Sequence, residues 1–533
     1  MEQPITELAS AVRRRVSGGA SSVDVRTTHA SWVFIGERDV WKVKRPVSLG
    51  FLDFSTPDAR RRFCEAEVSL NRRLAPDVYL GVEPVRRGPA GLVIGGSSGG
   101  QIIDWAVHMR RLPDEASAAA MLARGELSAP ALATLAARMA QFHAAARITP
   151  DWGDPAALSA NVDENFAQSE RFVGDLLERA TFDEARAFQT SWLEANEPLA
   201  LSRAQAGRVR EGHGDLRLEH VYFFPESDGG LRPVVIDCLE FAERYRCADV
   251  ASDLAFFAME LELARRPDLA AGFLARYAEA SDDFELYRVV DFYLSYRAWV
   301  RGKVAALVAD DVDAATELRQ GKRVEARRQF GLARSYAGRA LDAPFVLAVG
   351  GMIGSGKSTL AEALGRELAA PVISSDRTRK ALAGLAPAAR GGAELYTDAS
   401  RARVYDEIIR RAAAVLESRR PVVLDATFST PHQRAMVMRL RAADTPVVFL
   451  EVTCDPQILR DRLAQRRLAG GSVSDATDLE LDELAGRYQA PRQLEGAALM
   501  RLDSAEAPGR VAEEALRGLA AHGITRAIDR RSS

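Results

Sequence analysis

The sequence predicts a multidomain chain of mixed α/β and α+β class, in which a strand-rich segment and a helical segment precede a doubly wound parallel sheet. Three observations predict this architecture. Apolar residues alternate in short strand-like runs within residues 21–111, helical periodicity dominates residues 114–205, and short apolar runs alternate with helical patterns after residue 345. Grouped strands followed by helices are typical of α+β domains, whereas alternating strands and helices indicate a parallel sheet.

The composition sets broad limits on function. The chain has 533 residues, which is enough for two or three domains at ~150 residues per domain. Its net charge of −3 provides no overall field that would favour nucleic acid or an anionic membrane. The N-terminus has no apolar signal segment, and no apolar run approaches the ~20 residues of a membrane span. We therefore expect a cytoplasmic protein with reduced cysteines and no membrane partner.

Residues 1–112 are predicted to form a strand-rich lobe, and residues 113–338 a helical one. Residues 21–45 are predicted to form a β-hairpin and a third strand, with strand patterns at 31–35 and 40–44. Further strand patterns lie at 78–84, 91–94 and 101–111, and a helical pattern covers 57–75. The second lobe is helical except for a strand–loop–strand block at 208–241. A helical run then stops and a buried apolar run begins, so residues 339–344 are the predicted linker.

Residues 345–525 are predicted to form the parallel-sheet domain, and residues 526–533 a frayed tail. The strand candidates of this domain are nearly continuous apolar runs, as expected for strands that helices cover on both faces. They lie at 345–349, 371–374, 421–424, 446–452 and 498–502. The first of them leads directly into a glycine-rich loop.

This glycine-rich loop runs from Gly351 to Ser358 and is followed by a helical pattern. Strand, loop and helix in this order identify a phosphate-binding P-loop. Its glycines let backbone N–H groups approach phosphate oxygens, and the helix N-terminus adds partial positive charge. The motif predicts that Lys357 reaches the β- and γ-phosphates of a nucleoside triphosphate and that the Ser358 hydroxyl holds Mg²⁺. The predicted nucleotide-binding residues are Gly351, Gly354, Ser355, Gly356, Lys357, Ser358 and Thr359.

Polar residues after the next two strands extend this predicted site. Asp376 follows the second strand, and Asp425 ends the third. Because ligands gather at the carboxyl ends of strands in a doubly wound sheet, we expect Asp376 on the acceptor side and Asp425 near Mg²⁺. Arg462 and Arg466 share one helix face and are predicted to form a lid that stabilises the transferring phosphoryl group. A solvated basic face is the alternative for these two arginines.

Residues 343–505 resemble the P-loop kinases grouped with zeta-toxin-like, gluconate-kinase-like and polynucleotide-kinase-like proteins. The resemblance rests on the glycine-rich loop and on the residues that follow it. It implies that Asp376 receives the proton of an acceptor hydroxyl and that Arg462 or Arg466 is the lid arginine. These residues do not identify the acceptor.

A second set of candidate residues lies in the strand–loop–strand block. His213-Gly214-Asp215 precedes one apolar strand pattern, and Asp237 ends the next. This spacing places two carboxylates at the ends of one hairpin, where one can accept a hydroxyl proton and the other can hold Mg²⁺. Residues 20–335 resemble the aminoglycoside and choline phosphotransferase branch of the protein-kinase-like fold. The resemblance implies a bilobal structure with Asp215 as catalytic base and Asp237 as metal ligand.

The same resemblance assigns roles to residues outside this hairpin. It implies Lys42 as the strand lysine that binds the α- and β-phosphates, and Glu67 as its helix partner. Lys44 with Glu65 is the alternative pair, because a shift of two residues keeps the same strand face. Asp253 is expected to brace the catalytic loop.

One residue departs from the family pattern. The family places an Asn five residues after the catalytic Asp to hold a second Mg²⁺, and this chain has His220 there. Mg²⁺ prefers oxygen ligands, whereas imidazole suits softer ions. The second metal is therefore expected to be absent, weakly held at His220, or replaced by Mn²⁺.

The order of the two halves resembles a bacterial family of bifunctional aminoglycoside phosphotransferase-like and ATP-binding proteins. This resemblance implies a bifunctional kinase that transfers the γ-phosphate of ATP to hydroxyl groups of small molecules, with ATP and Mg²⁺ or Mn²⁺ as cofactors. One alternative is a single-activity P-loop kinase whose N-terminal half is a nucleotide sensor or scaffold. Another is a C-terminal domain that phosphorylates nucleic-acid 5′-hydroxyl ends, although no aromatic and basic stacking groove is evident. The sequence does not identify either acceptor or the oligomeric state.

Overall fold

A computed structural model provides the structure of the chain. It describes residues 2–17, 23–28, 30–48, 52–89, 91–96, 100–227, 229–312, 314–338, 344–386, 389, 391–469, 486–492 and 496–525. Of residues 2–4, 393 and 466–469 it describes the backbone alone. Within these ranges, no helix combines the length and the apolar character that crossing a bilayer requires.

The N-terminal lobe is an antiparallel sheet with one helix against each face. Its elements are α1 (Glu2–Ser17), β1 (Asp24–Thr27), β2 (Ser31–Ile35), β3 (Asp39–Lys44), α2 (Pro57–Asn71), β4 (Tyr79–Gly88), β5 (Gly91–Ile94) and β6 (Gln101–Arg110). The six strands lie in the order β1-β2-β3-β6-β4-β5. Val12 of α1 packs with Trp41 on one face, whereas Val68 of α2 packs with Val107 on the other. The sequence patterns predicted α2 and the strands but not α1.

The position of α2 along the chain decides which of its side chains face the sheet. The Thr56 side chain caps the helix N-terminus by accepting a backbone N–H bond from the first turn. From this start, Glu67 falls on the buried face, whereas Glu65 lies on the exposed face. Because side chains alternate along a strand, Lys42 and Lys44 of β3 point to the same face of the sheet. The helix and the strand thereby bring Glu67 next to both lysines.

Helices and two short strand pairs follow. They are α3 (Ala118–Ala123), α4 (Ala129–Ala145), α5 (Pro155–Ser169), α6 (Arg179–Gln205), β7 (Val209–Glu211), β8 (Val221–Pro225), β9 (Leu231–Val235), α7 (Glu243–Arg246) and β10 (Cys247–Asp249). The strands β8 and β9 pair antiparallel, as do β7 and β10. The loop between β7 and β8 carries Asp215, and β9 leads to Asp237. The predicted strand–loop–strand block is therefore present.

The rest of the chain consists of long helices and a second sheet. Its elements are α8 (Val250–Leu263), α9 (Pro267–Ser281), α10 (Leu286–Asp310), α11 (Thr316–Ser335), β11 (Val346–Gly351), α12 (Lys357–Glu367), β12 (Val372–Ser374), α13 (Ser375–Leu382), α14 (Asp398–Glu417), β13 (Val422–Asp425), α15 (Pro431–Met438), β14 (Val447–Thr453), α16 (Pro456–Ala469), β15 (Ala498–Asp503) and α17 (Pro508–Ala520).

The second sheet confirms the predicted parallel architecture. Its five strands lie in the order β12-β13-β11-β14-β15, and every neighbouring pair is parallel. Leu347 and Val349 of β11 belong to the same apolar core as Leu364 of α12 and Leu516 of α17. Parallel pairing brings the carboxyl ends of β11, β12 and β13 to one edge of the sheet, where the P-loop begins.

By compactness, the chain divides into two units. The first comprises Met1–Glu170 and Gln189–Glu260, and the second comprises Arg171–Phe188 and Leu261–Ser533. The helices α9, α10 and α11 therefore share a unit with the parallel sheet, which differs from the predicted division at the linker. Residues 339–343 of that linker and the predicted tail 526–533 lie outside the described residues.

Candidate active sites

The first candidate site centres on Glu67, which two lysines share. Lys42 Nζ lies 2.9 Å from Glu67 Oε1 and 2.7 Å from Asp237 Oδ1. Lys44 Nζ donates to Glu67 Oε2 at 2.8 Å and also contacts Glu240. The side chain of Lys44 is 1% exposed and that of Lys42 is 16% exposed, so Lys42 is the lysine that a nucleotide could reach.

The charges of this cluster hold each other in the ionised state. Burial disfavours the charged form of Lys42, but Asp237 and Glu67 outweigh it and raise the pKa of Lys42 well above its usual value. Burial likewise opposes ionisation of Glu67, yet both lysines hold the pKa of Glu67 below its usual value. The predicted alternative partner of Lys44, Glu65, instead accepts a hydrogen bond from Arg61 on the exposed face of α2.

Asp253 braces the loop that carries Asp215. Its carboxylate accepts backbone N–H bonds from His213 at 2.6 Å and Gly214 at 2.8 Å, and His143 Nε2 lies 3.2 Å away. Gly214 has a φ of +85°, and a Cβ there would lie 3.0 Å from the Arg246 side chain. This backbone conformation therefore favours glycine.

His213 is a neutral structural histidine. Its Nε2 lies 3.0 Å from the carbonyl oxygen of Ile236, and its Nδ1 accepts a bond from the Asp215 backbone N–H at 3.3 Å. Burial outweighs the nearby carboxylates and lowers the pKa of His213 to about 4. The imidazole thus ties the loop before Asp215 to the strand end before Asp237.

The carboxylates of Asp215 and Asp237 lie on either side of His220. His220 Nδ1 donates to the carbonyl oxygen of Asp215 at 2.9 Å, and its Nε2 lies 3.5 Å from Asp237 Oδ2. Burial opposes ionisation of Asp237, but Lys42 and His220 outweigh it and hold the pKa of this carboxyl well below its usual value. Asp237 also has a φ of 64°, a backbone strain that is typical of functional positions.

A metal ion at this site would depend on Asp237 and on phosphate oxygens. Among the described residues, no group of three or more His, Cys, Asp and Glu side chains is arranged to hold a metal by itself. Mg²⁺ commonly binds one or two carboxylates together with substrate phosphates, and the Asp237 carboxylate fits that role. His220 offers only Nε2, because its Nδ1–H is used by the Asp215 carbonyl, and a lone imidazole nitrogen is a poor Mg²⁺ ligand.

Arg217 is a further charged residue of this site that sequence patterns did not indicate. Its Nε donates to Glu260 Oε1 at 3.0 Å, and Glu260 Oε2 accepts the Leu218 backbone N–H at 2.7 Å. Burial disfavours the charge on Arg217, but Asp215 and Glu260 outweigh it and raise the pKa of the guanidinium. The only available signal was its position two residues after Asp215.

The second candidate site is the P-loop, whose glycines have backbone conformations that other residues disfavour. Gly351, Gly354 and Gly356 have φ values of 145°, 77° and 85°. A Cβ on Gly351 would lie 2.4 Å from the carbonyl oxygen of Val452. Among the described residues, Ser355 Oγ is buried without a hydrogen-bond partner, as expected of a loop shaped to accept a polar ligand.

The P-loop meets the end of β13 at the position expected for a magnesium site. Ser358 Oγ donates to Asp425 Oδ1 at 3.1 Å. Asp425 is directly paired with Val349 of β11 and Ser374 of β12 in the sheet, which explains why residues distant in sequence meet here. Burial raises the pKa of Asp425, while Lys357 opposes that rise. A hydroxyl and a carboxylate are the oxygen ligands that Mg²⁺ prefers, so these residues fit the ion.

Of the remaining predicted residues, Asp376 is near enough to Asp425 for its charge to act on that carboxyl. Asp376 lies in the first turn of α13 and forms an ion pair with Arg379, which stacks over the Tyr396 ring at 4.8 Å. Thr359 lies exposed in the first turn of α12. The side chain of Arg466 lies outside the described residues, although its helix α16 is described.

Arg462 is held against the P-loop by Ser504, a residue without a sequence signal. Arg462 donates to Ser504 Oγ at 3.1 Å and to its carbonyl oxygen at 2.6 Å. Ser504 Oγ in turn donates to the carbonyl oxygen of Ser355 at 2.6 Å. A Cβ on Gly356 would lie 3.7 Å from Arg462 Nη1, so the guanidinium is at the loop itself.

Two family models match the chain, one in each half. The model described as "Phosphotransferase enzyme family" matches residues 13–317. The model described as "AAA domain" matches residues 346–491. The first match includes every residue of the site around Glu67, and the second includes the P-loop, Asp376, Asp425 and Arg462.

Relatives and solved structures are similar to most of the chain or to a part of it. "Uncharacterized protein Rv2004c" of Mycobacterium tuberculosis is 33% identical over 477 residues, which covers 87% of this chain and 90% of the relative. A choline/ethanolamine kinase family protein from Mesorhizobium loti is 13% identical and covers 63% of this chain and 99% of its own, with a TM-score of 0.36. A gluconokinase from Sinorhizobium meliloti is 24% identical and covers 34% of this chain and 94% of its own, with a TM-score of 0.26.

Proposed function

Because the chain belongs to the phosphotransferase enzyme family, we propose that it is a bifunctional kinase that transfers the γ-phosphate of ATP to hydroxyl acceptors at two separate sites. The acceptors are hydroxyl-bearing small molecules, and the protein acts in the cytoplasm. One observation carries this proposal. In each half, a residue that would bind phosphate or metal contacts the carboxylate that would hold Mg²⁺: Lys42 with Asp237 at 2.7 Å, and Ser358 with Asp425 at 3.1 Å.

In the kinase-like half, Asp215 is the group that takes the proton from the acceptor hydroxyl. Its loop is fixed by Asp253 and His213, so the carboxylate can be held in one place while the hydroxyl attacks. Lys42 binds the α- and β-phosphates, and Glu67 keeps its ammonium oriented. When bound, Mg²⁺ neutralises developing charge on the phosphate oxygens, and Asp237 would hold it.

In the P-loop half, the backbone N–H groups of the glycine loop and Lys357 bind the β- and γ-phosphates. Ser358 and Asp425 are the residues that would hold Mg²⁺ there. Asp376 accepts the proton of the second acceptor, and Arg462, whose guanidinium lies beside Gly356, stabilises charge on the transferring group. Arg466 of the same helix remains the second lid candidate.

A second candidate function is a single-activity P-loop kinase whose kinase-like half senses nucleotide. The observation that favours it is the position of His220, whose imidazole lies between Asp215 and Asp237 where an oxygen ligand would hold a second Mg²⁺. A nucleotide could bind beside Lys42 without being turned over. The intact Asp215 and Asp237 favour catalysis instead.

The test compares ATP consumption by wild type, Asp215→Asn and Lys357→Ala with a pooled library of hydroxyl metabolites, and identifies products by mass. We expect two phosphorylated products, each lost in one variant by about 1000-fold or more. A single product that disappears only in Lys357→Ala would replace the bifunctional proposal by the sensor. Turnover that survives in both single variants, and in the double variant, would overturn both assignments.

A further inference from the structure

The strand that leads to Asp376 has an open edge. Among the described residues, the strand β12 lies at the end of the sheet and pairs with β13 alone. Pro371 O accepts the Val423 backbone N–H on that inner side, so the neighbouring Val372 N–H points outward. Outward backbone groups of an edge strand need partners other than a strand. The helix α9 supplies them.

One ion pair on α9 provides both a donor and an acceptor to this edge. Glu279 Oε1 accepts the Val372 backbone N–H at 2.6 Å, and Arg276 Nη2 donates to the carbonyl oxygen of Ala370 at 3.0 Å. Arg276 and Glu279 are three residues apart on one helix face and lie 2.7 Å from each other. The pair therefore satisfies edge groups as a neighbouring strand would.

Further ion pairs attach the same helical region to the sheet domain. Arg411 of α14 makes a two-point contact with Asp282, at 2.5 and 2.8 Å. Arg420, just before β13, makes a two-point contact with Asp291 of α10, at 2.7 and 3.0 Å. Both arginines are buried. The region of α9 and α10 is thus joined by buried arginines to the helix α14 and to the segment just before β13.

The Arg276–Glu279 pair contributes little net stability for the desolvation that it requires. Burial raises the pKa of Glu279 to about 7, against the opposing effects of Arg276 and the Val372 N–H, with Arg377 and Glu362 as the other charged groups facing it. Buried ion pairs often contribute little net stability compared with apolar packing. Their best attested benefit is a defined geometry.

We propose that Arg276 and Glu279 are positioning residues for the acceptor side of the P-loop site. They fix β12, at whose end Ser374 hydrogen-bonds to Asp425 and Asp376 follows in the first turn of α13. The helical region matched by the phosphotransferase family model thereby supports the catalytic carboxylate of the other reaction. The inference rests on the proposed P-loop activity, in which Asp376 receives the acceptor proton.

The test uses three variants of the full chain. Glu279→Ala removes the acceptor of the Val372 N–H, whereas Glu279→Gln keeps an acceptor oxygen there. Glu417→Gln is the matched control, because Glu417 pairs with Arg288 of α10 on the exposed surface of the same helical region. The readouts are amide hydrogen exchange over residues 372–378 and the kcat and KM for ATP of the Lys357-dependent turnover.

We expect Glu279→Ala to speed amide hydrogen exchange over residues 372–378. It should also lower kcat roughly tenfold with an unchanged KM for ATP, because a misplaced catalytic group affects turnover more than nucleotide binding. Glu279→Gln should restore most of both properties, and Glu417→Gln should change neither. Unchanged exchange in Glu279→Ala, or a loss that Glu417→Gln reproduces, would overturn the inference. If wild type has no Lys357-dependent turnover, the proposed function fails. Faster exchange in Glu279→Ala alone would still support the role of Glu279 in fixing β12.

Discussion

The two candidate sites are built in different ways. Around Glu67, the site consists of ion pairs between residues far apart in sequence, such as Lys42 and Asp237, which are 195 positions apart. Around the P-loop, most of the site is one continuous segment with fixed backbone angles, to which Asp425 is added from the neighbouring strand. The first site depends on mutual charge compensation, and the second depends on backbone shape.

The two sites should therefore respond differently to side-chain substitutions, both in stability and in activity. In a buried charge network, the loss of one member leaves the others uncompensated, so that stability and activity fall together. In a loop of backbone N–H groups, the loss of one side chain leaves the fold intact and removes only what that side chain did. Substitutions that measure stability and activity separately can show whether the two sites differ in this way.

The largest effect is expected for Glu67→Gln. This change removes the charge that Lys42 and Lys44 share, while Lys44 stays buried and Lys42 stays mostly shielded from solvent. We expect a loss of about 3 to 5 kcal/mol in the free energy of unfolding, as for other broken buried ion pairs. Urea denaturation followed by tryptophan fluorescence measures it, and the Asp215-dependent turnover should fall with it.

The matched control for this change is Glu65→Gln on the same helix. Glu65 pairs with Arg61 on the exposed face, where an ion pair contributes only about 0.5 kcal/mol. If Glu65→Gln were as damaging as Glu67→Gln, the loss would reflect the helix α2 rather than the shared carboxylate. The charge-network account of the first site would then be wrong.

The next largest effect is expected for Ser358→Ala in the P-loop half. Removal of the hydroxyl that contacts Asp425 should lower Mg²⁺-dependent turnover about 100-fold, or roughly 3 kcal/mol, while the unfolding midpoint stays unchanged. Ser358→Thr keeps the hydroxyl and should retain most activity. A Ser358→Ala protein that unfolds more easily would show that this site also depends on its side chains for stability.

The same contrast explains how much of the molecule the sequence could predict. The P-loop and the parallel sheet were predictable because their signals are local: glycines at fixed spacing and buried apolar runs. The choice between Glu67 and Glu65 was not local, because it depends on where Thr56 starts α2 and which face of the helix meets β3. Ser504 and Glu279 had no signal at all, since each acts through a backbone group that only the folded chain brings near.

A smaller effect is the pH dependence of stability that Glu279 of α9 contributes. Burial raises the pKa of Glu279 to about 7, above its ordinary value of 4.5. The stability associated with this group is therefore fully present below pH 4.5 and is lost as the pH rises through 7. Glu279→Gln cannot ionise and should escape this loss, on the order of 2 kcal/mol.

The measurement is the difference in unfolding free energy between Glu279→Gln and wild type at pH 5 and pH 8. Glu417→Gln, which alters an exposed pair of the same helical region, should show no such difference between the two pH values. A difference for Glu279→Gln that does not change with pH would mean that the Glu279 carboxyl titrates normally.

The smallest effect concerns the metal in the kinase-like half, at His220. Asn in this position would offer Mg²⁺ an oxygen ligand in place of Nε2, and its amide N–H could still donate to the Asp215 carbonyl oxygen. We expect His220→Asn to raise Mg²⁺-dependent turnover of this half roughly fivefold, or about 1 kcal/mol, and to change the Mn²⁺-dependent rate less. The rates are compared across titrations of both metals in a Lys357→Ala background, which removes the P-loop reaction. Equal responses to both metals, or no gain at all, would mean that His220 does not limit the Mg²⁺-dependent turnover of this site. The contrast between the two sites would then rest on the ion pairs around Glu67 alone.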